Sequence, residues 1–166
     1  MTAIQIRRLA GADEIAICAR MMAASEPWIT LGRDYAASSQ TLADPVKEIY
    51  VAVAGDQIAG FLILNMTGEF VGYIQSVCVA PEMRGQGIGT QLMQHVEARI
   101  FRDKPNAFIC ASSFNPAARR LYERLGYALV GELCDYVIPG HSEFLLRKTI
   151  GPLHNFHPVR PAEDAE

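Results

Sequence analysis

Residues 77–90 restrict the fold more than any other part of this 166-residue chain. The stretch begins with the apolar, β-branched run of a strand, stops at Pro81, and crosses a turn with glycine at positions 85, 87 and 89. The next segment has apolar side chains at four-residue intervals: Ile88, Leu92, Val96 and Ile100. Because that spacing is typical of one face of an amphipathic helix, the stretch predicts a strand, a glycine loop and a helix in direct succession.

The start of the predicted helix is suited to bind an anion. The first backbone N–H groups of a helix have no partner within it, and the helix dipole adds partial positive charge there. Alternate glycines leave room for a bulky phosphate to approach the backbone closely. We therefore expect a phosphate-bearing ligand at the end of the strand that finishes at Val79.

Two common nucleotide motifs do not match this loop. A dinucleotide fingerprint requires G-x-G-x-x-G, whereas the sequence here is G-x-G-x-G. A Walker loop requires Gly-Lys before Ser or Thr, but Gly89 precedes Thr90 directly, and no lysine lies between Lys47 and Lys104. A turn whose glycines only relieve crowding is a further alternative, and Arg84 together with three alternating glycines makes it less attractive.

The rest of the chain predicts the element order β-α-α-β-β-β-α-β-α-β-β. Helices are expected to begin at 11–13, after Gly32, after the glycine loop and at 115–116. Three consecutive strands before a crossover helix indicate a mixed sheet. We expect one domain over 1–150 and a poorly ordered tail over 151–166. The predicted strands cover residues 3–9, 48–54, 57–64, 70–79, 107–111, 127–138 and 143–148.

Composition excludes several classes of protein. The net charge of −3 argues against nucleic acid and anionic membrane as partners. No apolar run approaches the roughly 18 residues of a membrane span, and the N-terminus lacks a signal-peptide pattern. The widely spaced cysteines indicate reduced, buried thiols in a cytoplasmic protein, with no disulfide and no metal site. These cysteines are Cys18, Cys78, Cys110 and Cys134.

Two segments carry a resemblance to a known family. The run from Arg84 to Gly89 resembles the R-x-x-G-x-G/A pyrophosphate-binding motif of the GNAT superfamily, the acetyl-CoA-dependent N-acetyltransferases. A second segment resembles that family's N-x-x-A-x-x-x-Y-x-x-x-G-[FY] motif, with Asn115, Ala118, Tyr122, Gly126 and Tyr127 at the matching positions. The resemblance covers residues 3 to about 149. It implies an α+β, three-layer α-β-α fold with a mixed, largely antiparallel sheet of six to seven strands whose central strands splay apart.

The resemblance also implies acetyl-CoA as the cosubstrate. The loop N–H groups would hold its diphosphate, and its pantetheine arm would lie along strand 77–79 like an added strand. A backbone N–H near Val77 or Cys78 would polarise the thioester carbonyl. Cys78 as a covalent nucleophile is less favoured than a small buried thiol. The expected cofactor contacts are Val77, Cys78, Val79, Arg84, Gly85, Gln86, Gly87, Ile88, Gly89, Thr90, Asn115 and Ala118.

The position of Tyr122 corresponds to the family's general acid, which protonates the departing thiolate. Simple packing of Tyr122 is the alternative, and Asn115 is expected both to cap its helix and to contact the cofactor. Many relatives place a glutamate in the strand before the glycine loop as general base, but none lies between Val71 and Val79 here. The base is therefore left open among water and five carboxylates: Glu26, Asp34, Glu69, Asp135 and Glu143.

The resulting expectation is an enzyme that transfers acetyl from acetyl-CoA to a primary amine of a small molecule or peptide, through a tetrahedral intermediate. A non-catalytic acyl-CoA-sensing module is the alternative, motivated by the missing strand glutamate. Trp28 either packs in the core or lines the acceptor cleft, and both interpretations stay open. The sequence does not distinguish a monomer from a homodimer.

Overall fold

The computed structural model describes residues 3–158, and within them the predicted order of strands and helices is confirmed. A short 3-10 turn, Pro81–Met83, lies between the fourth strand and the third helix. The elements are β1 (Ile4–Arg8), α1 (Gly11–Ala23), α2 (Tyr35–Leu42), β2 (Glu48–Ala54), β3 (Gln57–Asn65), β4 (Tyr73–Val79), α3 (Ile88–Asp103), β5 (Asn106–Ser112), α4 (Pro116–Arg124), β6 (Ala128–Cys134) and β7 (Ser142–Thr149).

The strands form one seven-stranded sheet in the order β1-β2-β3-β4-β5-β7-β6. Neighbours within β1–β4 are antiparallel, as are those within β5-β7-β6, while β4 and β5 run parallel. β4 and β5 pair only at Tyr73 with Phe108 and at Ile74 with Ile109. Beyond those pairs the two strands separate, so the predicted splay of the central strands is confirmed. The edge of β4 that faces β5 is therefore free of strand partners from residue 75 onwards.

Apolar side chains cover both faces of the sheet. On one face α3 and α4 pack over the sheet, with Leu92, Val96 and Tyr122 among their buried residues. On the other face α1 and α2 bury a second cluster that includes Met22 and Leu42. Sheet residues complete both clusters, so the helices form two outer layers around a central sheet. The predicted three-layer α+β architecture is confirmed.

Gly60 brings β3 unusually close to the end of β4. It lies opposite Val79, and a Cβ atom at position 60 would stand 2.6 Å from the carbonyl oxygen of Cys78. Real Cβ atoms do not approach backbone that closely, because van der Waals repulsion forbids it. Glycine at this position therefore allows the close pairing that fixes the end of β4, where the glycine loop begins.

Two predicted strands extend at least three residues beyond the observed ones. β4 begins at Tyr73 rather than at residue 70, because Gly72 adopts φ +88° and turns the backbone there. β6 ends at Cys134 rather than at residue 138, because Asp135 adopts φ 51°. The Asp135 carboxylate accepts a 2.6 Å hydrogen bond from the backbone N–H of Gly140, which closes residues 135–140 into a loop.

The cysteines agree only partly with the sequence prediction. None of the four is in a disulfide, and Cys18 and Cys78 are buried as expected. Cys110 is half-buried and Cys134 is exposed, so the prediction of buried thiols is wrong for Cys134. Cys134 lies at the end of β6, the outermost strand of the sheet, where only one neighbouring strand covers it.

Residues 151–158 form neither helix nor strand. The rest of the predicted tail, 159–166, lies outside the described residues, so both the poorly ordered tail and the single domain over 1–150 stay predictions. Among residues 3–158, every helix is too short or too polar to cross a membrane.

Candidate active site

A cleft of about 580 Å³ lies where β4 ends and α3 begins. Its walls come from the end of β4, the glycine loop, the first turn of α3 and one side of α4. The structure brings together at this cleft all the predicted cofactor contacts except Gln86. These are Val77, Cys78, Val79, Arg84, Gly85, Gly87, Ile88, Gly89, Thr90, Asn115 and Ala118.

The N-terminus of α3 lacks the side-chain cap that α2 and α4 have. Asp34 caps α2 by accepting from the N–H of Ala37 at 2.9 Å, and Asn115 caps α4 by accepting from the N–H of Ala118 at 3.3 Å. At α3 the capping position is Gly87, in the left-handed conformation with φ 79°, and no side chain caps the helix. The first N–H groups of α3 therefore have neither a partner within the helix nor a capping side chain. They border the cleft, where they can bind an anion.

The side chains of Arg84 and Gln86 differ in their relation to the cleft. Arg84 Nε donates a 3.2 Å hydrogen bond to the carbonyl oxygen of Val79, which ties the loop back to the end of β4. Gln86 is exposed and contacts Met83 through its amide, 4.0 Å from the sulfur. Arg84 thus holds the shape of the loop, and Gln86 does not line the cleft.

A second cavity of about 320 Å³ occupies the gap between the splayed strands β4 and β5. The loop after α1, the beginning of β7 and the loop that follows β6 enclose it. The two cavities share five lining residues: Trp28, Val77, Asn115, Ala118 and Tyr122. The larger cleft and the smaller cavity therefore meet at these residues.

Tyr122 lies at the junction of the two cavities. It projects from α4, is 6 % exposed, and packs with its ring centroid 6.2 Å from that of Tyr127. Burial raises the pKa of the Tyr122 phenol, and the neighbouring Cys110 and Glu143 raise it further. The phenol is therefore protonated at neutral pH. Tyr122 both packs in the core and presents a proton donor at the junction, so the two interpretations of this residue are compatible.

Glu143 is a buried carboxylate in the smaller cavity. It is 7 % exposed and lies opposite Ser112 in the pairing of β5 with β7. The Ser112 hydroxyl donates a 2.5 Å hydrogen bond to Glu143 Oε1. Burial raises the pKa of Glu143, although the hydrogen bond from Ser112 opposes that effect. A carboxyl group whose pKa is raised is a better proton acceptor once it is ionised.

The other four carboxylates considered as bases lie elsewhere. Glu26 borders the larger cleft, where its carboxylate accepts from the backbone N–H and the hydroxyl of Thr30. Asp34 caps α2, and Asp135 closes the loop after β6. Glu69 is exposed and lines neither cavity. Of the five candidates, only Glu143 lines the smaller cavity.

The thiol of Cys78 is unsuited to act as a nucleophile. Its side chain is 3 % exposed, and burial raises its pKa to about 11, above its ordinary value. The nucleophilic form of cysteine is the thiolate, which is scarce at neutral pH under these conditions. Trp28 is buried in the cluster beneath α1 and α2 and also lines both cavities, so core packing is compatible with a place in the acceptor cleft.

Several polar residues of the smaller cavity were not identified as site residues from the sequence. They come from several separate segments, and only the folded sheet brings those segments together. Burial raises the pKa of the Tyr73 phenol, so it is a neutral hydrogen-bonding group. These residues are Arg33, Asn65, Tyr73, Gln75, Ser76, Cys110, Ser112 and Tyr136.

Comparisons of the sequence with known proteins identify the family of this chain. The sequence model of the Acetyltransferase (GNAT) family matches residues 14–127. An N-alpha-acetyltransferase 30 of Schizosaccharomyces pombe is 30 % identical over 100 residues, which cover 57 % of this chain and 67 % of that protein. An uncharacterised N-acetyltransferase of Methanocaldococcus jannaschii is 33 % identical over 101 residues, which cover 60 % of this chain and 64 % of that protein. The alignments thus span about two thirds of each relative.

Solved structures share the fold. The ribosomal-protein-S18-alanine N-acetyltransferase of Escherichia coli superposes with a TM-score of 0.73 at 16 % identity, over 93 % of this chain and 99 % of that chain. An aminoglycoside 6'-N-acetyltransferase, solved in complex with coenzyme A, gives a TM-score of 0.72 at 17 % identity, over 89 % and 98 % of the two chains. At such identities the likeness concerns the fold alone.

Proposed function

The chain belongs to the GNAT acetyltransferase family, and from that premise we propose that it transfers an acetyl group from acetyl-CoA to a primary amine of a small molecule or peptide. The observation that carries this proposal is the meeting of two cavities at Tyr122. An enzyme that transfers a group between two substrates needs two binding spaces that meet at the reacting atoms.

The larger cleft fits the donor. Uncapped N–H groups at the start of α3 are suited to the diphosphate of acetyl-CoA. The free edge of β4 offers backbone hydrogen-bonding groups to the amides of the pantetheine arm, from the glycine loop toward the junction. In this proposal Val77, Val79 and the first turn of α3 bind the donor. The thioester then lies beside Tyr122.

The smaller cavity fits the acceptor. In the proposed reaction Glu143 accepts a proton from the acceptor ammonium, since an amine is nucleophilic only when it is neutral. The amine nitrogen then forms a bond to the thioester carbonyl carbon, and a backbone N–H of β4 stabilises the oxyanion of the tetrahedral intermediate. Collapse of the intermediate breaks the carbon–sulfur bond. Tyr122 donates its proton to the departing thiolate and is reprotonated by the second proton that the amine nitrogen loses as the amide forms, while Glu143 releases its proton to solvent. The products are the N-acetylated amine, the free thiol of CoA and one released proton.

The non-catalytic alternative rested on the absence of a glutamate in β4. Glu143 offers a carboxylate in the smaller cavity from another strand, which supports catalysis over that alternative. One assay distinguishes the two functions. Acetyl-CoA is incubated with the protein and a panel of primary amines, and both the release of thiol and the formation of N-acetylated product are measured.

We expect thiol release that depends on the amine and equals the amount of acetylated product. Tight binding of acetyl-CoA without turnover of any amine would favour the sensing module. Failure of acetyl-CoA to bind would overturn both functions.

A further inference from the structure

The smaller cavity, whose lining residues all lie within residues 3–158, has two charged side chains on its walls. Glu143 comes from the beginning of β7, and Arg33 comes from the segment between α1 and α2. The other residues that line the cavity are uncharged. In the described part of the chain, neither Glu143 nor Arg33 forms an ion pair, although eight other pairs exist there. The cavity therefore presents one negative and one positive group, each free to pair with a ligand.

The two groups differ in the ligand chemistry that they suit. Glu143 is buried with only the Ser112 hydroxyl as a hydrogen-bond donor, and an ammonium group would give it a charged partner. Arg33 is half-buried, and its planar guanidinium matches the two oxygens of a carboxylate. A ligand with an ammonium at one end and a carboxylate at the other complements both.

The size of the cavity and its other lining residues restrict the class of ligand further. A volume of about 320 Å³ lies at the lower end of ordinary ligand pockets, so a small molecule fits better than a folded partner. Trp28, Leu31 and Val137 provide apolar surface for a short carbon chain. A ligand with several ammonium groups would place surplus positive charge near Arg33, which disfavours polyamines and aminoglycosides.

We propose that the acceptor is a small amino carboxylate, whose amine lies at Glu143 and whose carboxylate binds Arg33. This inference rests on the proposed function, because it names the acceptor of that same reaction. Arg33 is then a specificity-determining residue, since it binds the part of the acceptor that does not react.

The test compares matched acceptors. A series of unbranched amino carboxylates, from glycine to 6-aminohexanoate, is assayed beside the corresponding amino amides, in which a neutral carboxamide replaces the carboxylate, at a pH below the pKa of every amine in the series. We expect at least one chain length at which kcat/KM for the carboxylate exceeds that for the amide by about 10-fold, the effect of one charge-assisted hydrogen bond. Equal values of kcat/KM at every length would overturn the inference and leave the proposed acetyl transfer standing.

Two variants locate the effect at Arg33. We expect Arg33→Met to abolish the preference for the carboxylate, mainly by raising its KM, and Arg33→Lys to retain part of it. Arg20→Met is the matched control, because Arg20 is exposed on α1 and lines neither cavity. A preference that survives Arg33→Met would overturn the inference. Failure of acetyl-CoA to bind to the wild-type protein would instead overturn the proposed function itself.

Discussion

The two cavities that meet at Tyr122 are built from different parts of the chain. The larger cleft consists mainly of continuous sequence, since residues 77–90 supply its strand, its glycine loop and its helix start. The smaller cavity gathers side chains from the loop after α1 and from β3, β4, β5, α4, the loop after β6 and β7. The larger cleft offers backbone N–H groups, and the smaller one offers side chains. A site of backbone groups is thus encoded locally, whereas a site of side chains depends on the fold.

The largest effect is expected where the cavities meet. Replacing Tyr122 by Phe removes the proton donor for the thiolate while it keeps the ring, so we expect kcat to fall about 1,000-fold. Affinity for CoA, measured by calorimetry, should change little. Tyr127→Phe is the matched control, because Tyr127 is buried beside Tyr122 but lines neither cavity. An equal loss of kcat in both variants would show that Tyr122 acts only through packing.

The next effect concerns the smaller cavity alone. We expect Glu143→Gln to lower kcat/KM for the amine about 100-fold at neutral pH, because the base is lost. The wild-type rate should rise with pH through a value above the ordinary carboxyl pKa, since burial raises the pKa of Glu143. In the variant that rise should disappear, and only the deprotonation of the free amine should increase the rate.

Glu97→Gln is the control for this variant. Glu97 is also a buried carboxylate, but Lys148 pairs with it at 2.6 Å, and it lines neither cavity. Its replacement should affect stability and leave the pH profile of kcat/KM unchanged. A similar change of profile in both variants would contradict the role of Glu143 as the base.

The larger cleft should respond to changes in backbone geometry. Gly89 has no left-handed requirement, and a Cβ atom there would lie 3.5 Å from Leu121 and 3.8 Å from Val79, both of which line the cleft. We expect Gly89→Ala to stabilise the fold by about 0.5 kcal/mol, as alanine does in helices, but to weaken acetyl-CoA binding about 10-fold.

Gly87→Ala changes a glycine that, unlike Gly89, has a left-handed backbone conformation. Gly87 has φ 79°, so alanine there should cost about 1 kcal/mol of stability. Urea denaturation and calorimetric titration with acetyl-CoA measure the two quantities for both variants. Unchanged acetyl-CoA affinity in Gly89→Ala would place the diphosphate elsewhere.

The smallest expected effect is the change in the free energy of unfolding when Glu143 of the smaller cavity is replaced. The pKa of Glu143 is higher in the folded chain than its ordinary value, so ionisation disfavours folding. The protonated carboxyl therefore favours the folded state. Its contribution to stability is fully present below the ordinary carboxyl pKa and is lost as pH rises through the pKa of the folded chain. In urea denaturation, Glu143→Gln should therefore raise the free energy of unfolding slightly at neutral pH and by less in acid. A loss of stability at neutral pH would mean that the ionised carboxylate stabilises the fold.

This contrast also explains how much could be predicted from the sequence. The family and its fold followed from the glycine loop and the Asn115–Tyr127 segment, because each motif lies within one short stretch of sequence. The order of elements followed from the apolar patterns and turn signals along the rest of the chain. Arg33, Ser112 and Tyr73 were not identified as site residues, since they meet only through the sheet order and the splay of β4 from β5. The sequence named Glu143 among five carboxylates but could not rank it, because burial and the Ser112 contact exist only in the folded chain.

Strand ends were predicted less accurately than strand cores, for a related reason. The apolar run before Asp135 continues past it, but the left-handed φ of Asp135 and its hydrogen bond with Gly140 end β6 early. Such a turn depends on a contact across five residues. Its effect on the smaller cavity is direct, because Tyr136 and Val137 of that loop line it.

The proposed acetyl transfer requires the thioester to lie where the two cavities meet. A crystal structure of the protein with CoA tests it most directly. We expect the diphosphate at the N-terminus of α3, the pantetheine arm along the free edge of β4, and the sulfur within hydrogen-bonding distance of the Tyr122 hydroxyl. A CoA molecule whose sulfur lies away from Tyr122, or whose diphosphate lies away from the start of α3, would contradict it.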